Sequence, residues 1–298
     1  MMKFRRLIIA FLIALISVSL PGGNISYARR PQKTVRILAI GNSFSVDAIE
    51  QNFYELAKAE GINVIVGNMY IGGCSLARHV KNIRGDIADY SYRKIVDGKK
   101  TTYDHFTIDK VLADEKWDYV SFQQASPYSG QYGTYARDLP ELVSHVRARV
   151  SGKTKFMLFM TWAYASDCSR TAFSNYDRDQ MKMYKAILDA NKRAAKLVGI
   201  HIIIPCGTAI QNARTSFIGD HMNRDGYHLD KSVGRYTAAC TWCEKIFGKS
   251  IAGNPYSPAG LPADRKEVAQ KAAHAAVRHP FRVTAINVKL QAAADNVK

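Results

Sequence analysis

In Gly41-Asn42-Ser43-Phe44-Ser45 a hydroxyl follows a glycine directly after an apolar run, and in Asp225-Gly226-Tyr227-His228 a carboxylate stands three residues before an imidazole. Serine becomes a nucleophile when a base takes its proton, and imidazole is that base when an acid holds its other nitrogen. Asp225 is spaced to accept the Nδ1 proton of His228, which leaves Nε2 for Ser43. The chemistry such a set performs is acyl transfer. Taken alone, Ser43 or Ser45 reads more simply as a helix N-cap. His221, beside Asp220, is the nearest rival to His228, whereas His79, His105, His145, His201, His274 and His279 read as structural or merely exposed.

Acyl transfer also needs donors for the oxyanion of its tetrahedral intermediate. In Ile71-Gly72-Gly73-Cys74-Ser75 a glycine lets a backbone N–H approach substrate, although an ordinary turn is the plainer reading. In Gln123-Gln124-Ala125-Ser126 a carboxamide NH2 could complete the hole. Strand alternation turns one of those glutamines toward the site, with Gln123 the first choice and Gln124 the second. Trp162, Tyr164, Tyr128 and Tyr132 follow neighbouring β-rich runs, where their faces would stack on sugar rings; for Trp162, core packing is an equal alternative.

These groups need elements that bring them to one edge. Residues 35–40 are β-rich and end at Gly41, and a helical pattern covers 46–59. Further strands are expected over 63–69, 119–123, 155–161 and 201–205, with helices over 179–198, 232–247 and 262–277. The charged, tyrosine-rich stretch 86–104 reads as helix plus an exposed insertion. Apolar strands alternating with helices imply a parallel sheet covered on both faces, an α/β/α sandwich of roughly five strands. In such sheets ligands sit beyond the strands' carboxyl ends. The glycine pattern matches neither a P-loop nor a dinucleotide fingerprint.

The N-terminus, Met1-Met2-Lys3-Phe4-Arg5-Arg6 followed by an apolar run to Leu20 and by Ser26-Tyr27-Ala28, has the form of a secretory signal peptide, residues 1–28. The alternative is an uncleaved anchor; no later segment is apolar enough to span a bilayer. The expected organisation is then a catalytic domain over 29–250 and a C-terminal loop, helix and tail over 251–298. Removing Lys3, Arg5 and Arg6 lowers the formal charge from +17 to +14. The basic residues are scattered, so a solvated surface is preferred to nucleic-acid binding. Five cysteines, an odd number, leave at least one unpaired. Cys240-Thr241-Trp242-Cys243 lies in a helical pattern with no second pair, so buried thiols are expected and no metal site.

In their order along the chain these blocks resemble the SGNH (GDSL-like) hydrolase superfamily. Gly41-Asn42-Ser43-Phe44 is similar to its Gly-Asp-Ser block, with Asn42 in place of Asp; Gly73, or less so Gly72, matches the second-block glycine; Asp225-x-x-His228 resembles the last block. Gln123-Gln124-Ala125-Ser126 departs from the third block's Gly-x-Asn-Asp. The resemblance implies a flavodoxin-like α/β fold, Ser43, His228 and Asp225 as catalytic residues, and Ser43, Gly73 and Gln123 as the oxyanion hole. Trp162, Tyr128 and Gln124 are then the substrate-binding candidates. The expected activity is that of an exported esterase, periplasmic or secreted, acting on an acylated small molecule or polysaccharide without metal or cofactor. Two rivals come from other classes: a glycan-binding protein that keeps the fold without catalysis, and an anchored basic protein holding acidic polymer by charge, whose affinity would collapse in salt.

Overall fold

The computed structural model describes residues 33–290; the expected signal peptide and the last eight residues lie outside them. In chain order the elements are β1 (Val35–Gly41), α1 (Ser43–Ile49), α2 (Phe53–Ala59), β2 (Val64–Tyr70), α3 (Leu76–Arg84), β3 (Tyr90–Val96), β4 (Lys99–Phe106) and α4 (Ile108–Asp114). They continue with β5 (Tyr119–Phe122), α5 (Tyr132–Arg147), β6 (Lys155–Phe159), α6 (Gln180–Val198), β7 (Ile202–Ile204), α7 (Cys206–Arg214), α8 (Val233–Phe247) and α9 (Ala263–Arg278).

The seven strands make one sheet in the order β4-β3-β2-β1-β5-β6-β7. The five expected strands are the parallel part, in which β1 lies between β2 and β5. Alternation along β1 feeds two cores. Ile37 and Ala39 pack toward α1, α2, α7, α8 and α9, whereas Leu38 and Ile40 pack toward α3, α4, α5 and the second half of α6. The result is the three-layer α/β/α sandwich that the pattern implied.

Two stretches differ from expectation. Residues 86–104 are not helix plus insertion: β3 and β4 form an antiparallel hairpin that extends the sheet beyond β2. Its turn is Asp97-Gly98, both at positive φ (50° and 75°), the geometry that Asp-Gly favours in two-residue hairpins. The single helix over 46–59 is two. Glu50 turns inward to Asn68, Arg93 and Lys100, and Asn52 adopts φ 63°, which breaks the helix between α1 and α2.

The segment after residue 250 is part of the same compact unit. Helix α9 buries Val268, Ala269, Ala272 and Ala273 in the core shared with α7 and α8. All five cysteines are buried and free, including Cys240 and Cys243 on α8. Among the described residues no helix is long and apolar enough to cross a membrane.

Candidate active site

Strand β1 is where the strand order reverses, with β2 on one side and β5 on the other, and a crevice opens beyond such a reversal. The chain leaves β1 through Gly41, where a Cβ would lie 2.6 Å from both Gln123 Oε1 and Ser45 Oγ, so no larger residue fits without displacing them. Asn42 caps α1: its Oδ1 accepts from Phe44 N–H at 3.0 Å, and its Nδ2 donates to the Cys74 carbonyl at 3.0 Å. The N-cap is therefore neither serine. Ser45 is buried, 2.7 Å from the Asn42 carbonyl and 2.8 Å from Asn68 Oδ1. Ser43, the first residue of α1, keeps its Oγ at the surface of the cleft, 2.8 Å from His228 Nε2.

Behind the imidazole, His228 Nδ1 lies 2.8 Å from Asp225 Oδ2, while the His228 and Tyr227 N–H groups donate to Oδ1 at 2.7 and 3.2 Å. Burial opposes a charge on Asp225. The hydrogen bonds from the ring and the two amides outweigh it and hold the carboxyl below its ordinary range. His221 does not compete, because it is exposed and Asp220 is engaged with Arg214, Ser166 and Gln180.

The loop that delivers His228 is tied down at several points. A short bridge joins Asn223 to Leu229, Gly226 accepts from Ala165 N–H, and the Tyr227 carbonyl accepts from Trp162 Nε1 at 2.7 Å. The strongest tie is a carboxylate that the sequence reading passed over. Asp47, one turn after Ser43 on α1 and 1% exposed, accepts from Leu229 N–H at 2.9 Å. It also pairs with Arg224 at 3.1 Å and Arg235 at 2.7 Å. The available signal was an acid four residues after the serine on an otherwise apolar helix face, a position that burial makes costly unless the charge is matched.

The oxyanion candidates separate. Gly72 and Gly73 both line the cleft; Gly73 has φ +62°, a left-handed backbone that glycine adopts without strain. Among the described residues neither the Ser43 nor the Gly73 N–H is held by an acceptor. The glutamines do something else. Gln123 is buried and donates its NH2 to Asn42 Oδ1 at 2.8 Å, so it braces the turn carrying Ser43. Gln124 accepts from Leu76 and Ala125 N–H and donates to Thr134, which fastens the start of α3 to the segment after β5. As found, neither carboxamide points into the cleft, contrary to the expected roles in the hole and in substrate binding; a neighbouring acceptor claims each one.

Trp162 is likewise not a sugar platform. It is 0% exposed, stacked on Phe44 at 4.3 Å and edge-on to Phe159, so neither face is available. Its indole N–H instead steadies the His228 loop. Tyr164 is buried against Ser126, and Tyr132, on α5, lies under Arg193. Tyr128 alone of the four reaches the cleft, 42% exposed. The cleft, about 440 Å³, is also lined by Tyr70, Tyr227 and Arg170, which sequence reasoning did not single out.

A second imidazole makes superficially similar contacts. His79 Nδ1 lies 2.8 Å from the Tyr90 hydroxyl and 3.6 Å from Cys74 Sγ, but the residue is fully buried and its Nε2 has no partner among the described residues. Burial, assisted by Arg78, pulls its pKa down to about 3, and burial pushes the Cys74 thiol up to about 12. Among the described residues no three His, Cys, Asp or Glu side chains are grouped to hold a metal.

Residues 36–276 match the DUF4886 family, described as a domain of unknown function, and the chain belongs to it. A DUF4886 family protein from Bacteroides uniformis, known from a crystal structure, is 60% identical, with a TM-score of 0.84 over 85% of this chain and 98% of that one. A protein from Slackia heliotrinireducens, named as a candidate SGNH hydrolase, is 22% identical with a TM-score of 0.50, over 72% of this chain and all of that one. Axe2, an acetylxylan esterase from Geobacillus stearothermophilus, is 13% identical with a TM-score of 0.49 over 72% of this chain and 94% of its own. The match to the Slackia protein shows the fold to be that of the SGNH hydrolases. No curated protein sequence matches the chain.

Proposed function

We propose that this DUF4886 member is an exported serine esterase, periplasmic or secreted, that removes acyl groups, acetyl foremost, from a glycan or a small acylated alcohol. One observation carries the reading: Ser43 Oγ, His228 Nε2 and Asp225 form a continuous relay with 2.8 Å at each step, open to a cleft. His228 takes the proton of Ser43 as Oγ attacks the ester carbonyl. The Ser43 and Gly73 N–H groups receive the oxyanion. Collapse of the intermediate expels the alcohol, which takes that proton from His228. Water, deprotonated in turn by His228, then cleaves the acyl-enzyme and releases the acid. Neither metal nor cofactor enters this route. Tyr128, exposed at the rim, offers a face to a sugar ring.

Reaction with an organophosphonate followed by peptide mapping should place the label on Ser43, and Ser43→Ala should abolish p-nitrophenol release from a short acyl ester while the protein stays folded. Unchanged turnover would remove Ser43 from the mechanism. A glycan-binding protein without catalysis is favoured by one observation, that neither glutamine turns a carboxamide into the hole. Glycan affinity without Ser43-dependent turnover would decide for it.

A further inference from the structure

We infer that the natural substrate carries a carboxylate near the scissile ester and that Arg170 binds it; this rests on the esterase reading and names its substrate class. Of the residues lining the cleft, Arg170 is the one with a permanent charge, and no Asp or Glu is among them. Its guanidinium has neither ion pair nor hydrogen bond among the described residues. Arg93, Arg214, Arg224 and Arg235, by contrast, are each matched to a carboxylate. A fixed positive charge left unmatched at the wall of a cleft favours an anion there.

The group is also held in place. The Arg170 guanidinium lies 4.1 Å from the centroid of the Tyr227 ring, and the same ring lies 4.0 Å from the His228 imidazole. Charge and base therefore flank one aromatic ring, and their separation cannot exceed the sum of those two distances. The Arg170 carbonyl accepts from Phe173 N–H and fixes the main chain at the start of a short helical turn, Thr171–Tyr176. Stacking on Tyr227 orients the planar fork without using its N–H donors, which stay free for bidentate recognition. A single guanidinium with no second Lys or Arg on the lining matches one negative charge, a carboxylate, rather than a phosphate dianion.

The carboxylate could belong to the alcohol, as in an acetylated uronic acid, or to the acyl group, as in a half-ester of a dicarboxylic acid. Two matched pairs distinguish them: acetylated methyl glucuronoside against acetylated methyl glucoside, and p-nitrophenyl hemisuccinate against p-nitrophenyl butyrate. The expected result is a kcat/KM for the anionic member of one pair at least about tenfold above its neutral partner, the scale of one charge-assisted hydrogen bond. Arg170→Gln should lower that ratio by a similar factor, and Arg170→Lys should retain part of it. A gain in the first pair assigns the anion to the alcohol, and a gain in the second assigns it to the acyl group. Ser43-dependent turnover with no anionic preference in either pair overturns the inference and leaves the esterase reading standing. If no ester is turned over, the esterase reading itself fails. Because the paired comparison uses the unaltered protein, it decides even where a variant does not fold.

Discussion

His228 and His79 each place a ring nitrogen 2.8 Å from a hydroxyl, yet only His228 opens on the cleft. His228 faces a cleft, and Asp225, held ionised by three hydrogen bonds, stands behind it, where it would stabilise the imidazolium of the proposed mechanism. Among the described residues His79 has no carboxylate behind it, no exposure, and a nitrogen without a partner. Protonating it would bury an uncompensated charge. Contact between imidazole and hydroxyl does not by itself tell packing from catalysis; what His228 has and His79 lacks is a matched charge and an open cleft.

That contrast can be tested from its strongest consequence downward. His228→Gln keeps polar bulk but removes the base, and turnover of a short acyl ester should fall by roughly 10⁴–10⁶-fold; a variant retaining a tenth of parental kcat/KM would erase the distinction between the two clusters. Asp47→Asn leaves Arg224 and Arg235 unmatched beneath the His228 loop. It should lower kcat about 10–100-fold with KM little changed, and lower the melting temperature by roughly 6–12 °C. A melting shift with kcat intact at 25 °C would make Asp47 a purely structural residue. His79 gives the smallest and most specific effect. Between its ordinary pKa of 6.5 and its folded value of about 3, the unfolded chain binds a proton there that the folded chain refuses. Stability should therefore fall as pH drops through that window, by about 1.4 kcal/mol per pH unit from this group. Denaturation of His79→Gln across pH 7 to 4 should show a shallower slope, and an unaltered slope would mean that the buried ring is not what resists the proton.

Much of this was legible from local pattern. The five parallel strands announce themselves as β-rich runs separated by helical periodicity; Ser43 stands at the start of α1, and Asp225 and His228 show in the sequence by their spacing on the loop between α7 and α8. The hairpin β3–β4 was missed because Tyr90, Tyr92 and Ile95 face inward from a stretch otherwise charged and exposed, which hides the alternation. Asp97-Gly98 was the cue. Gln123 and Trp162 failed for a different reason. Which acceptor a buried carboxamide finds, and whether an indole faces a cleft or the core, depends on neighbours distant in sequence: Asn42 for Gln123, Phe44 and the Tyr227 carbonyl for Trp162. Asp47 belongs with them, since its partners lie 177 to 188 residues away.

The ladder from Asp47 to the far loop has a mechanical consequence. Because the hydroxyl and the anchoring carboxylate ride on one helix, a small rocking of that helix carries the loop, and the imidazole with it, in the same direction. Motion common to both partners cancels in the gap between them. In the proposed mechanism, the spacing that governs proton transfer would then hold even where the cleft walls shift.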